Sequence, residues 1–249
     1  MFERAELKAN AKMALKHFYL WGLIACFIYS VISGQFVGWW DSFRRISSLF
    51  RGDFYQFLYY GQNMKYAFYE LLNPYVITPT AVFSILFGIV IAIVRWIVRV
   101  LFLIFVVHVV EIGLYSFFLK NRHQETNLSE MLTPFQNHYM NVVKVTFLRS
   151  LYILFWTLLF VIPGIIKSYE YYFVPYLMAE NPMMSDEEAF ACSRRMTDGE
   201  KWNLFIFDLS FIGWILLGGI LGGVGSVLVA PYIYASRSEL YVCLKERKL

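Results

Sequence analysis

The sequence predicts an all-α integral membrane protein with six transmembrane helices, amphipathic helices at the membrane surface and both termini in the cytoplasm. Hydrophobic residues make up 59% of the chain and charged residues only 16%, whereas soluble domains carry about 25% charged residues. Residues 76–119 form an apolar run about twice as long as the ~20 residues that one bilayer crossing needs. The basic residues concentrate in loops that this arrangement places inside the cell. We therefore expect one integral membrane domain over residues 1–249.

Residues 1–17 are predicted to form an amphipathic cytoplasmic helix that leads into the first crossing. Apolar side chains share one helical face and lysines form the adjacent stripe: Leu7, Ala11, Leu15 and Phe18 beside Lys8, Lys12 and Lys16. We interpret the lysines as a positive-inside flank that orients the protein, and a lipid-sensing role is the alternative. The apolar residues 18–37 lack a cleavage site and read as a crossing. Residues 39–75 are aromatic-rich and too charged to cross, which predicts an outer segment.

The apolar run over residues 76–119 is interrupted by only four ionisable side chains: Arg95, Arg99, His108 and Glu111. We expect one crossing over residues 100–119. Residues 76–94 then either extend this helix on the outer side, re-enter the membrane or cross separately, and the sequence leaves these alternatives open.

The second half of the chain contains two predicted hairpins of apolar helices. Pro163-Gly164, a helix-breaking pair, separates residues 147–162 from 165–179. Glycines at 218–219 and 222–223 mark a turn between the last two crossings. Between the hairpins, residues 181–201 form a cytoplasmic loop with a helix that begins at Ser185, has Glu188 in a capping box and stops at Gly199.

The distribution of basic residues selects this topology among three. A seven-crossing arrangement places the basic loop at 120–149 outside, against the positive-inside tendency. A six-crossing arrangement with two crossings in 76–119 leaves more bases outside than the preferred one. The preferred arrangement has one crossing in 76–119 and leaves these bases outside: Arg44, Arg45, Arg51, Lys65 and Lys167.

Several stretches, in order, carry a resemblance to a known family: RAELKANAKMALK, VVEIGLYSFFL, NVVKVTFLRSLYILFWTLLFVIPGIIKSYEYYFVPYLMAENP, EAFACSRRMTDGEKWNLFIFDLSFIGW and APYIYASRSELY. They resemble a bacterial integral membrane family of unknown function, domain of unknown function 975. Glu111 and Gly113 fall in its acidic motif, Arg95 and Arg99 depart from its usual apolar residues, and residues 39–75 match least. The resemblance implies a multi-span bacterial plasma-membrane protein and assigns no activity.

Charged residues inside a membrane are candidates for function because burying them is expensive. Glu111 and His108 share one helical face near mid-crossing, where they form either a structural hydrogen-bonded pair or part of a proton or ion path. Asp208 is the third candidate intramembrane functional residue. Arg95 and Arg99, one turn apart, either contact an anion or lipid phosphate or extend to the outer interface.

The sequence contains no motif for catalysis, a metal or a cofactor, and Cys26, Cys192 and Cys243 read as packing residues. We expect a non-catalytic accessory or scaffold protein of a cell-envelope process. Its partners would be membrane lipids and either a membrane protein or further copies of itself, without nucleic acid. The alternative is a carrier or export/immunity factor for a small or peptidic solute, with Glu111, His108 and Asp208 along its path.

Overall fold

A computed structural model describes residues 3–34, 79–122, 128–136, 138–220 and 224–249. All regular structure in these ranges is helical, which confirms the all-α prediction. The chain forms two compact units, one from Met1–Phe36 with Leu103–Leu249 and one from Val37–Phe102. The α-helices are α1 (Arg4–Ile32), α2 (Pro79–Phe102), α3 (His108–Lys120), α4 (Thr133–Gln136), α5 (Tyr139–Leu159), α6 (Val161–Glu170), α7 (Val174–Glu180), α8 (Asp186–Thr197), α9 (Lys201–Leu209), α10 (Ile212–Ile220) and α11 (Val224–Lys248).

Helix α1 has the amphipathic character that its residue spacing predicts. Its predicted apolar face is buried: Leu7, Ala11, Leu15 and Phe18. The helix bends by 97° between Arg4–Lys16 and Phe18–Ile32. The amphipathic segment and the apolar segment are therefore two differently directed parts of α1.

In the second unit the structure describes α2, whose side chains at residues 85–99 are all exposed. A π-helical turn over Leu103–Val107 follows α2, so the backbone is helical from Pro79 to Lys120. No turn interrupts it at Arg95 or Arg99, and residues 76–78 of the predicted extension lie outside the described residues. The predicted outer segment at 39–75 lies outside the described residues.

Helix α3 lies at the centre of the first unit, with every residue from Ile112 to Phe118 buried. Gly113 allows the 3₁₀ segment Leu128–Leu132 to pass against α3, because a Cβ there would lie 2.0 Å from the Met131 carbonyl oxygen. This segment leads directly into α4, which contains Pro134.

The predicted break at Pro163-Gly164 is wrong in position. The chain breaks at Phe160, whose backbone is extended (φ −155°, ψ 140°), and Pro163 and Gly164 lie in the first turn of α6. A proline is tolerated there because the first amides of a helix have no partner within the helix. Residues 165–179 are also not one helix, because a turn at 171–173 separates α6 from α7.

The loop helix follows the prediction at both ends, whereas Gly218 and Gly219 of the predicted last turn lie within α10 and Gly222-Gly223 lies outside the described residues. The Ser185 hydroxyl accepts a hydrogen bond from the Glu188 amide at 3.2 Å, and Gly199 adopts φ +73° just after α8, so both predicted ends are confirmed. In the α10–α11 hairpin a Cβ on Gly218 would lie 2.7 Å from the Ser226 nitrogen. Glycine therefore permits these two helices to pack closely.

Three described helical stretches are long and apolar enough to cross a membrane: Ile85–Lys120, Tyr139–Leu159 and Lys201–Gly218. The two parts of α1, taken as one bent span, would make a fourth. These stretches suggest that the protein associates with a membrane. Their exposed side chains are mostly large hydrophobic residues, as a lipid-facing surface requires.

Candidate functional site

Glu111 lies in the first turn of α3 and is half-buried. Its Oε1 accepts a hydrogen bond of 2.7 Å from the Tyr115 hydroxyl, one helical turn further on. Neither Lys167 nor Arg149 bonds to it. Lys167 instead binds Glu170, and the Arg149 Nε donates to the Tyr171 carbonyl at 2.9 Å. Glu111 forms no ion pair with any described residue.

Tyr115 belongs to a group of aromatic side chains that fills the centre of the first unit. We call it the tyrosine cluster, and its members are Tyr29, Tyr115, Tyr176, Tyr234 and Tyr241. The ring centroids of Tyr115 lie 4.2 Å from Tyr176 and 5.7 Å from Tyr234, and Tyr176 lies 5.4 Å from Tyr241. Tyr115, Tyr176 and Tyr241 are each less than 9% exposed. Glu111 therefore borders a packed aromatic core.

His108 is not hydrogen-bonded to Glu111. Its Nδ1 lies 2.7 Å from the Leu103 carbonyl oxygen, five residues earlier. Because a carbonyl only accepts, Nδ1 carries the proton in this arrangement. A second carbonyl of the π-helical turn, that of Phe105, accepts a hydrogen bond from the Tyr139 hydroxyl at 2.7 Å. The turn thus binds side chains of α3 and α5 through its carbonyl groups.

Asp208 on α9 forms a partly buried ionic network with α11 and the turn before α7. Its Oδ1 accepts from Arg237 Nη2 at 2.9 Å, from Arg237 Nε at 3.2 Å and from the Tyr172 hydroxyl at 3.1 Å. The guanidinium carbon also lies 5.9 Å from the centre of the Tyr172 ring, within reach of a cation–π interaction. Asp208 thus joins three parts of the fold.

Sequence reasoning missed Arg237, which it treats only as a cytoplasmic base. One signal could have identified it, because Tyr234, Arg237 and Tyr241 are spaced three and four residues apart and therefore share a helical face. Two of these residues belong to the tyrosine cluster. Phe173 connects the network of Asp208, Arg237 and Tyr172 to that cluster. Its ring centroid lies 5.1 Å from that of Tyr172 and 5.8 Å from that of Tyr241.

Other acids of the first unit are paired with bases: Arg122–Glu239, Lys245–Glu180 and Lys201–Glu170. Arg122 binds Glu239 through two parallel hydrogen bonds of 2.7 and 3.0 Å, the strongest geometry for such a pair. Burial raises the pKa of Glu180, but hydrogen bonds from Lys245 and Tyr241 outweigh it and hold that pKa below its usual value.

Arg95 and Arg99 lie one turn apart on α2, and both are exposed. Neither forms an ion pair with a described residue. Contact with an anion or a lipid phosphate stays a prediction for them. Within the described ranges, no three His, Cys, Asp or Glu side chains come together as metal ligands would.

Comparison with known proteins gives one family and no individual relative. The family model described as "Protein of unknown function (DUF975)" matches residues 1–248. No curated protein matches the chain, and no solved structure matches it. The family match covers nearly the whole chain and confirms the resemblance that the motifs indicate. The chain belongs to the DUF975 family of proteins of unknown function.

Proposed function

We propose that this protein is a non-catalytic multi-pass membrane protein of the bacterial plasma membrane. It would act as an accessory or scaffold in a cell-envelope process. Its partners would be membrane lipids and either another membrane protein or further copies of itself. The long apolar helices support the membrane location.

The observation that carries the scaffold role is the filled centre of the first unit. Large side chains at this centre are almost completely buried: Phe117, Phe173, Tyr176 and Tyr241 are each at most 2% exposed. Asp208, Glu170 and Glu239 are each bound to a base. A carrier needs water to reach its acidic groups and needs those groups to change partners. A packed aromatic core with paired charges instead resembles the interior of a stable scaffold.

Two observations favour the alternative, a carrier or export/immunity factor for a small or peptidic solute. Glu111 is bound by a hydroxyl rather than by a cation. In addition, the buried Tyr176 hydroxyl has no hydrogen-bond partner among the described groups. A solute path in this protein would therefore pass Glu111, with His108 and Asp208 as further candidates.

Glu111→Gln separates the two functions, because glutamine keeps the shape of the side chain and removes its charge. The variant is expressed in a strain that lacks the chromosomal gene and is compared with wild type at equal protein level in the membrane. For a scaffold we expect full rescue of the deletion phenotype, since the amide oxygen still accepts from Tyr115. A folded variant without any rescue would assign Glu111 to a solute path and contradict the scaffold role.

We further propose that both termini lie in the cytoplasm. The charge count supports this orientation, because bases lie near both chain ends. The six crossings predicted from the sequence include two in the α5–α6 hairpin. A hairpin returns the chain to its original side at any depth, so the orientation of the termini does not depend on how far it enters.

The length of the α5–α6 hairpin supports a shallow insertion. The charged helix α8 packs at its base, where Phe190 lies 5.5 Å from Tyr152. From Tyr152 to the end of α5 at Leu159 the helix rises only about 11 Å at ~1.5 Å per residue. The hydrocarbon core is ~30 Å thick. A re-entrant hairpin that enters one leaflet fits this length and reduces the proposed crossings from six to four.

The α10–α11 hairpin differs because α11 continues much further beyond α8. Ser193 of α8 binds the Phe173 amide at 3.3 Å, and the Phe173 ring lies 5.8 Å from Tyr241 of α11. From Tyr241 to the start of α11 at Val224 the rise is about 26 Å. This length supports a full crossing by α11.

A further inference from the structure

An amphipathic groove in the first unit is not explained by the scaffold role. It lies between α1, α10 and α11 and has a volume of about 500 Å³. Its walls include two lysines, three aromatic residues and an aliphatic residue: Lys12, Lys16, Tyr19, Trp214, Leu228 and Tyr232. The groove therefore combines positive charge with apolar surface.

The lysines of α1 are not equivalent. Lys8 is occupied, because its Nζ donates a 2.6 Å hydrogen bond to Ser210 and lies 4.3 Å from the centre of the Phe211 ring. Lys12 and Lys16 are exposed and form no ion pair with a described residue. Lys12 lies 5.7 Å from the centre of the Tyr232 ring. Two ammonium groups one helical turn apart thus stand at the groove with no anion bound to them in the described part of the fold.

The apolar walls of the groove are held in a defined position. The Tyr19 hydroxyl donates a 2.9 Å hydrogen bond to the Leu228 carbonyl, which ties α1 to α11 across the groove. A Cβ on Gly22 would lie 3.4 Å from Pro231, so the two helices are in close contact just beyond. Trp214 and Leu228 are each about half exposed and leave apolar surface open to an occupant.

We propose that this groove binds one anionic phospholipid. Its phosphate would lie at Lys12 and Lys16, and an acyl chain would run along Trp214 and Leu228. The charge of the groove matches a negative headgroup, and each basic residue near an anionic membrane surface contributes about 1 kcal/mol of attraction.

The surroundings of the groove favour a lipid over a soluble anion. Exposed apolar side chains continue from it along α10, at Ile215 and Leu216, and along α1, at Leu20 and Trp21. A ligand with both a phosphate and a hydrocarbon chain is the one that satisfies the lysines and this surface together. The proposal rests on membrane association and not on the scaffold role, so rescue experiments with Glu111→Gln leave it unaffected.

The test measures lipid binding to the purified full-length protein in detergent by native mass spectrometry. The probes are phosphatidylglycerol and phosphatidylcholine with identical acyl chains. We expect wild type to prefer phosphatidylglycerol. The double variant Lys12→Gln with Lys16→Gln should lower the affinity for phosphatidylglycerol by about 25-fold, about fivefold for each lysine. Binding of phosphatidylcholine should change little.

Two further variants make the test specific. Arg194→Gln with Arg195→Gln removes two exposed bases from α8 and should leave the preference intact. Leu228→Trp fills the groove while keeping both lysines and should weaken phosphatidylglycerol binding, which covers the case that the lysine variant fails to fold. Equal losses in the arginine and lysine variants would overturn the proposal. Displacement of the lipid by soluble glycerol phosphate at equal concentration would overturn it too, because it would identify a site for the phosphate alone.

Discussion

At the residue scale, Arg237 shows what a charge inside this fold requires. About 29% of its side chain is exposed, and Asp208 is 20% exposed. The guanidinium and carboxylate lose hydrogen bonds to water on folding. Two hydrogen bonds between them and one from Tyr172 to the carboxylate replace these. When one partner of such a pair is removed, the other is left without compensation, and this costs more than the pair itself contributes.

Arg237→Met should therefore destabilise the protein by about 2–3 kcal/mol, less than for a fully buried pair because both side chains are partly exposed. The measurement is thermal unfolding in detergent micelles. Arg195→Met, which removes an exposed base without an ion pair to a described residue, is the matched control and should change stability by less than about 0.5 kcal/mol. A double variant with Asp208→Asn should recover part of the loss. Equal unfolding temperatures for Arg237→Met and wild type would contradict this role.

Glu180 gives a pH-dependent prediction. Its pKa is lower in the folded protein than its ordinary value of 4.5, so its ion pair stabilises the fold above that value. The stabilisation is lost as the pH falls through the lowered pKa. We expect Glu180→Gln to be less stable than wild type at neutral pH by about 1 kcal/mol or less, because the pair is half exposed, and the difference to vanish in acid.

Unfolding temperatures of wild type and Glu180→Gln between pH 7 and pH 3 test this expectation. High salt should shrink the difference at neutral pH, because an exposed ion pair is screened. The same substitution at the exposed Glu187 serves as control. A stability difference between wild type and Glu180→Gln that grows towards acid would contradict the lowered pKa of Glu180.

At the scale of elements, local patterns were predictable and long-range ones were not. The buried face of α1 and the N-cap at Ser185 depend on spacings of three or four residues, which are visible in the sequence. The break at Phe160 depends on how two helix ends meet. The sequence predicts the break at Pro163-Gly164 instead, because this pair is the stronger local signal for the end of a helix. The pairing of Asp208 with Arg237 joins residues 29 positions apart, and no local pattern specifies which base meets which acid.

Gly113 makes a sharp prediction about the packing of α3 against the Leu128–Leu132 segment. A methyl group there would lie 2.0 Å from backbone oxygen, and backbone moves less easily than the end of a side chain. Gly113→Ala should destabilise the protein by about 2–4 kcal/mol, in the range of overpacking and displaced backbone.

Gly213→Ala is the matched control, because a Cβ at this helical position meets nothing within 4 Å. Alanine favours helix over glycine by about 0.5–1 kcal/mol, so the control should be neutral or slightly stabilising. Unfolding in detergent distinguishes the two variants. If both substitutions had the same effect, the close approach of Met131 to α3 would be refuted.

At the scale of the whole molecule, the depth of the α5–α6 hairpin determines the number of membrane crossings. Six crossings place its tip on the outer surface, and a re-entrant hairpin keeps the tip inside the bilayer. Ile162, 72% exposed and close to the tip, is a suitable reporter. In a background without native cysteines, we expect Ile162→Cys to resist a membrane-impermeant maleimide in intact cells and in permeabilised ones.

Two further positions calibrate the labelling. Ser42→Cys, in the predicted outer segment, should react in intact cells. Glu187→Cys, on α8, should react only after permeabilisation, as a cytoplasmic position does. If Ile162→Cys reacts from outside as readily as Ser42→Cys, the hairpin crosses completely and the count of six holds.

The extended residue at Phe160 also bears on how the protein enters the membrane during synthesis. Between Arg149 and Lys167 the chain carries no charged side chain. Two amides at the tip are bonded within the hairpin, the Phe160 amide to the Trp156 carbonyl and the Gly164 amide to the Phe160 carbonyl. A helical pair closed in this way can enter a leaflet as one unit, with no charged side chain transferred through hydrocarbon. Insertion of this hairpin therefore requires no translocation of a polar segment.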